Sequence, residues 1–330
     1  MGFDPAKALA GVDLRSKTIL VTGSTSGIGF ATAQILVQRG AKVYLGARNA
    51  EKAEACIKRI EDSLTKFPAS AKETEEKGQA IFHQVDLDDP KEAKQSAEAF
   101  LQREERLDVL SNCAAATIED FQIGANGIQH LMNVNYFSTL IFTETLLPLL
   151  KKTAEQPGSD VRIVNVSSDG HKFLPNDLHF KSKDDFNVNY GNSFLQSWKR
   201  SSVSNLLRIL WTRELQRRLI EEGSSIIAVA LSPGSVHTEN TDMIVIRLKW
   251  PISTLFFALV RLTFMNVRDG AGTLIIAALS PKVRTEADKY KGGYLTPIGK
   301  LGKPSKQAQS AELATELMKT TEELRKEWGL

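Results

Sequence analysis

Cysteine is scarce in this 330-residue chain: Cys56 and Cys113 stand far apart and without the spacing of metal ligands. That excludes a disulfide framework and a zinc module, suits a reducing compartment, and leaves no metal site to expect. Charge of one sign is also lacking. With 42 basic and 39 acidic residues the net charge is only +3, with no long basic run, so nucleic acid is not an expected partner. A bilayer-spanning run is missing too. The most apolar stretch, 244–267, is broken by Arg247, Lys249 and Arg261, and the charge-free remainder, 250–260, is too short to cross. Residues 1–17 hold no apolar core of signal-peptide length, and Gly2 lacks the Ser or Thr that a myristoylation motif places four residues on. A cytoplasmic protein is the expectation, with peripheral membrane contact left open through 244–267. Internal repeats and a domain linker are also missing, so the whole chain 1–330 reads as one domain.

What is present is organised around residues 17–29, K-T-I-L-V-T-G-S-T-S-G-I-G. An apolar, β-rich run at 18–21 is followed by Gly23, Gly27 and Gly29, and helical spacing continues through 30–38. Strand, glycine turn and helix in that order make a cradle for phosphate. Glycine adopts backbone angles closed to other residues and lets an anion approach the main chain, while the first N–H groups of the helix face it. The plainer reading is a loop that merely needs glycine.

The alternation continues with strands at 43–45, 80–85 and 107–111 and helices at 51–64 and 91–102, a pattern that implies a parallel sheet with right-handed crossovers. The small and charged segment 66–78 reads as a surface extension. A long helix is expected over 128–150, a fifth strand at 162–166, and a polar loop to about 189. Another helix follows over 193–219, with Leu206, Leu207, Leu210, Leu215 and Leu219 as its buried stripe. A sixth strand at 225–231 ends in Pro233 and Gly234. Residues 240–267 read either as core helices or as a substrate lid or membrane-surface pair, and 306–330 contains an amphipathic terminal helix, over 311–328. The fold class is α/β, a Rossmann-type doubly wound sheet with a C-terminal helical lid.

In that order the motifs resemble those of the short-chain dehydrogenases/reductases, in the retinol-dehydrogenase-like branch, over nearly the whole chain. Thr22, Gly23, Ser24, Thr25, Ser26, Gly27, Ile28 and Gly29 resemble the family's T-G-x-x-x-G-x-G cofactor motif. Asp86 and Leu87 resemble the pair at the adenine edge, and Asn112, Cys113, Ala114 and Ala115 stand where N-N-A-G is usual. Asn126, Gly127 and the run Asn133 to Asn135 resemble the segment ending in the catalytic Asn, at Asn135. Residues 164–168 resemble the strand that ends in the catalytic Ser, at Ser168. Pro233, Gly234, Ser235, Val236, His237 and Thr238 resemble the P-G-x-x-x-T turn over the nicotinamide. The resemblance implies a dinucleotide cofactor and pairing of two copies through long helices. At the end of the second strand, where an acid would accept from a ribose 2′-OH, stand Gly46 and Ala47, with Arg48 next. A guanidinium there can grip a 2′-phosphate, so NADP(H) is expected; the other reading is a solvated surface arginine.

One element of the pattern is missing. The family's Y-x-x-x-K occurs nowhere in the chain, and counting back from Thr212, Arg213, Glu214 and Leu215 puts Ser201 at the Tyr position and Asn205 at the Lys position. Tyr190 opens a related Y-G-x-S segment that lies farther upstream. Losing a tyrosine acid sharpened by an ammonium removes the usual proton source. Three readings follow. The first is an NADP(H)-dependent oxidoreductase for a bulky apolar carbonyl or alcohol, such as a retinoid-like, polyketide or terpenoid molecule of secondary metabolism. In it Ser168 and Ser201 hold the substrate oxygen, and Tyr190, Lys199, Asp169 or His171 is the candidate donor. The second is a non-redox isomerase, dehydratase or cyclase on the same fold. The third is an inactive cofactor-binding scaffold.

Overall fold

The computed structural model describes residues 2–66, 78–191, 193–239, 241, 254, 257, 260, 261 and 263–330. After a one-turn helix α1 (Pro5–Ala8), the chain alternates β1 (Thr18–Thr22), α2 (Gly27–Gln38), β2 (Lys42–Ala47), α3 (Ala50–Lys66), β3 (Gln79–Gln84), α4 (Pro90–Leu101) and β4 (Val109–Asn112). Then come α5 (His130–Met132), a π turn (Asn133–Phe137), α6 (Ser138–Ala154), β5 (Arg162–Val166), α7 (Phe194–Glu221) and β6 (Ile227–Leu231). The end of the chain supplies α8 (Val267–Leu279), α9 (Pro281–Thr285), α10 (Ala287–Tyr290), β7 (Tyr294–Thr296), β8 (Lys300–Gly302) and α11 (Ala311–Trp328). The strands form one sheet in the order β3-β2-β1-β4-β5-β6-β7-β8. All pairs are parallel except β7 with β8.

Strands β1 and β6 are buried at every position, as β-rich runs must be when helices cover both sheet faces. One face packs against α4, α6, α7 and α11 through Phe100, Phe142, Leu210 and Trp328. The other packs against α2, α3 and α8 through Leu36, Ile60 and Leu274. Local signals set the helix ends. Asp89 caps α4, accepting from Lys91 N at 2.7 Å, with Pro90 in the first turn. Ser310 caps α11, which ends at Gly329 with φ of 72°.

Three expectations change. Helix α2 begins inside the glycine turn, at Gly27 rather than Phe30. The long helix expected over 128–150 is interrupted by the π turn, within which Asn133 and Asn135 are both buried. The sheet has two further strands, β7 and β8, each of three residues between glycines and Pro297, too short to carry a period. Most of the lid expected over 240–267, and of the extension over 66–78, lies outside the described residues. Among the described residues no helix is long and apolar enough to cross a membrane.

An ion cluster holds the strand ends opposite the glycine turn. Arg162 on β5 is fully buried; its Nε donates to Asp160 Oδ1 at 2.9 Å and its Nη groups to the carbonyls of Ala277 and Ser280 at 3.0 and 2.9 Å. Arg284 donates to the same carboxylate at 2.5 Å. Burial alone would raise the Asp160 carboxyl, but the bonds and charges of Arg162 and Arg284 outweigh it and hold the group below the ordinary carboxylate range. Replacing Asp160 by Ala strands a buried guanidinium, so Asp160→Ala is expected to cost about 3 kcal/mol in urea unfolding. Because the folded value is depressed, this contribution is full above the unfolded carboxylate value and is lost as pH falls through the folded one. The variant should therefore show a flatter acid limb in a plot of stability against pH.

Candidate active site

At the C-terminal ends of β1, β4 and β5 the main chain is drawn together by residues that leave little room. The Thr22 hydroxyl accepts from both Cys113 N and Ala114 N at 3.1 Å, tying the end of β1 to the loop after β4. Gly23 follows with φ of 66°, and a Cβ there would stand 2.6 Å from Ala114 Cα. A Cβ on Gly29 would stand 2.3 Å from the Gly23 carbonyl oxygen. Only glycine permits this turn, and its result is a helix start whose first residues, Ser26 to Gly29, line a cavity of about 690 Å³. This glycine-walled cradle fits a pyrophosphate.

Along one wall the cavity is bounded by paired charges. Arg48, just past β2, donates through Nη1 to both oxygens of Asp88 at 2.8 and 2.7 Å. His130 bridges Asp88 at 3.1 Å and Glu119 at 2.9 Å. The Glu119 hydrogen bond is the largest cause, against burial, of a His130 value pushed up to about 9, so the imidazole is a cation at neutral pH. Asn49 and Lys52 line the same end.

The floor is made by α7, the π turn and the segment after β5. Ser168, Asn135, Ser201 and Asn205 all line the cavity. Asn135 is held on three sides: Oδ1 accepts from Ala116 N at 2.8 Å, and Nδ2 donates to Ala116 O at 2.8 Å and to Ser204 Oγ at 2.9 Å. Ser168 Oγ accepts from Gly170 N at 3.2 Å. The Asn205 amide donates back to the Ser201 carbonyl at 2.8 Å, and Ser167 Oγ donates to the Asn205 carbonyl at 3.0 Å.

Among the residues expected to hold a cofactor, Gly23, Thr25, Ser26, Gly27, Ile28, Gly29, Arg48, Leu87, Ala114, Gly234, Val236 and Thr238 share this cavity. Ser24, Asp86, Asn112 and Pro233 do not face it. Asn112 is instead buried, donating to Thr143 Oγ1 at 2.9 Å and Asn165 Oδ1 at 2.8 Å, while Asp86 Oδ1 accepts from Asp88 N at 3.0 Å.

The four candidate donors are elsewhere. Tyr190 is half-buried against the core with the Lys199 ammonium 4.0 Å from its ring centre, which engages both. Asp169 pairs with Lys172 at 2.5 Å and accepts from the Tyr294 hydroxyl at 3.2 Å. Fully buried His171 accepts from Ser305 N at 3.1 Å through Nε2, so its Nδ1 carries the proton donated to Ser168 O at 2.7 Å. Burial lowers its basicity further, and the ring is neutral at pH 7. Tyr190 opens the Y-G-x-S segment and the other three lie within three residues of Ser168 or Ser201 in sequence, yet none of the four lines the cavity.

Several wall residues had not been read as functional: Lys52, Asp88, Glu119, His130 and Arg208. For Arg208 a signal existed. Ser201, Ser204, Asn205, Arg208 and Thr212 recur at helical spacing through the otherwise apolar face of α7.

The pattern of the family described as short chain dehydrogenase matches residues 17–175. A short-chain dehydrogenase/reductase of Armillaria gallica is 36% identical over 96% of this chain and 95% of its own length. Retinol dehydrogenase 11 of Mus musculus is 32% identical over 82% of this chain and 75% of its own. Among solved structures, L-sorbose reductase from Gluconobacter frateurii, complexed with NADPH and L-sorbose, superposes with a TM-score of 0.63 at 15% identity, covering 87% of this chain and 97% of its own. That likeness is one of fold.

Two outcomes are expected of this site. Gly29→Ala should lower stability by roughly 1–3 kcal/mol, since the Gly23 carbonyl has to move, and the loss is read from thermal unfolding. NMR titration of His130 should give a midpoint near 9, returning towards the ordinary ~6.5 in Glu119→Gln. Because the folded value is raised, the stability it contributes is full below ~6.5 and disappears as pH rises through the folded value.

Proposed function

The chain belongs to the short-chain dehydrogenase/reductase family, in its retinol-dehydrogenase-like branch. From that membership we propose that it is an NADP(H)-dependent oxidoreductase that acts on a bulky apolar carbonyl compound or alcohol with an altered proton-transfer site. The observation that carries this reading is the single cavity in which the glycine turn meets Ser168, Asn135, Ser201 and Asn205.

For the dinucleotide, the open first turn of α2 would hold the pyrophosphate, and Gly234, Val236 and Thr238 line the same cavity. A 2′-phosphate is favoured by Arg48 just past β2 and Lys52 in the first turn of α3, and β2 itself ends in Gly46 and Ala47 without an acid. Asp88 holds Arg48 in place through Nη1 alone, so the remaining N–H groups of the guanidinium are available to a phosphate. When bound, the dinucleotide supplies or accepts a hydride.

The chain's own residues would position the substrate oxygen and deliver a proton. The hydroxyls of Ser168 and Ser201 are the hydrogen-bonding groups on the floor, and a serine is a far weaker acid than a tyrosine beside an ammonium. Turnover is therefore expected to be slow, by the ~10²–10⁴ that a general acid supplies. An apolar substrate is supported by Val134, Trp198 and Phe264 on the wall and by Phe173, 74% exposed, packed against Trp198. Leu195, 71% exposed, is one turn before Trp198 on α7. The second reading, non-redox chemistry on the same fold, is favoured by the absence of all four candidate donors from the residues that line the cavity.

Binding titrations should give NADPH at least tenfold tighter than NADH, with the preference lost in the double variant Arg48→Ala, Lys52→Ala; equal affinities in the parent would remove the phosphate-binding role. A panel of lipophilic ketones and aldehydes should deplete the absorbance of the reduced nicotinamide. Silence across the panel with tight NADPH binding would turn the case to the non-redox reading. The double replacement Ser201→Tyr, Asn205→Lys should raise any reductase rate by ~10²-fold or more; no gain would mean that another group already donates.

A further inference from the structure

One charge on α7 has no part in the reading above. Arg208 is 1% exposed, lines the cavity, and lies one turn beyond Asn205 and two beyond Ser201 on the same helix face. Its guanidinium donates to three main-chain carbonyls: Asn135 O, Val166 O at 2.6 Å and Ala114 O at 2.5 Å. They belong to the π turn, the end of β5 and the loop after β4, the three segments that make the floor. Among the described residues no carboxylate shares these bonds. The other buried arginines differ: Arg162 is paired with Asp160, and Arg200 has Glu119 and Asp120 near it. The titratable neighbour of Arg208 is Cys113, whose thiol burial pushes up to about 11 and so keeps neutral at pH 7. Burial pulls Arg208 itself down to about 10, which still leaves it charged.

A cation offset by dipoles alone keeps its field, and a wall of low polarisability carries that field into the cavity. Ser201 and Asn205, on the same face, are uncharged. We propose that Arg208 is the fixed positive charge of the cavity floor and sorts the occupants of that floor by charge. It favours the uncharged reduced nicotinamide over the cationic oxidised ring, and a substrate oxygen bearing negative charge over a neutral one. The preorganised charge then acts where negative charge develops, without reorganisation of the site. This inference rests on the dinucleotide reading. The competing role, a strut joining three loops, would weaken every ligand alike.

The test is the ratio of the dissociation constants for NADP⁺ and NADPH, measured by quenching of tryptophan fluorescence in the parent, Arg208→Met, Arg208→Gln and Arg208→Lys, with melting temperatures alongside. The parent should favour NADPH, and the ratio should fall at least tenfold in the two uncharged variants, since unit charges about 12 Å apart already reach that at an effective dielectric of about 20. Arg208→Lys should keep it at about pH 6, where a buried ammonium is still protonated. An unchanged ratio in either uncharged variant that binds both dinucleotides overturns the charge role and leaves the strut. Should Arg208→Met fail to fold, Arg208→Gln, which retains a donor for the carbonyls, decides. Failure of the parent to bind either dinucleotide overturns the dinucleotide reading and this inference together, an outcome distinct from binding without discrimination.

Discussion

The contact between Gly23 and Ala114 sets the geometry of everything around the cavity. Two main chains lie so close that a Cβ on Gly23 would fall within 3 Å of both Ala114 Cα and Ala114 N. That closeness is sealed by the Thr22 hydroxyl, which accepts from the two amides that follow β4. Because the first turn and the fourth strand end are joined there, α2 starts at the cavity wall, and its unpaired N–H groups face the cavity rather than solvent. The remaining wall residues come from loops that continue strands already fixed by the sheet.

Beneath that contact a polar seam runs through an apolar interior. Asn112 donates to Asn165, Asn165 donates to Thr212 at 2.8 Å, and Asn135 donates to Ser204. Each member of the seam is buried, and each bond joins a strand end or the π turn to a neighbouring strand or to α7. Buried bonds of this kind are directional, so they register α7 against the sheet in a way that leucine packing alone does not. Registration is what brings Ser201, Asn205 and Arg208 to the floor together. It also separates two electrostatic environments: at the rim Arg48, Asp88, His130 and Glu119 compensate one another, whereas at the floor, among the described residues, Arg208 is bonded by three carbonyl dipoles and no carboxylate.

The same registration explains which candidates were misplaced. Tyr190, Lys199, Asp169 and His171 lie near Ser168 or Ser201 along the chain, and nearness along the chain is a poor guide wherever a loop turns. His171 is an instance: two residues after a short 3-10 turn begins at Asp169, its ring has been carried to the C-terminal segment, where it accepts from Ser305 N. Asn112 fails for another reason. It occupies the expected motif position, but a strand's alternation sends its side chain into the layer beneath the cavity.

Much was nonetheless legible. The glycine turn, the first six strands and the terminal helix follow from local chemistry: apolar β-rich runs where both faces are covered, glycine where the backbone has no alternative, and an amphipathic period at the end of the chain. The absence of a Y-x-x-x-K segment is likewise a property of the sequence alone. The π turn, the three-residue strands β7 and β8, the pairing of Arg48 with Asp88 and the burial of Arg208 among carbonyls were decided only by tertiary structure. Local patterns report the preferences of neighbours a few residues apart. Whether an arginine meets a carboxylate, a carbonyl or solvent depends on segments that packing brings together from distant parts of the chain, and no local period records them.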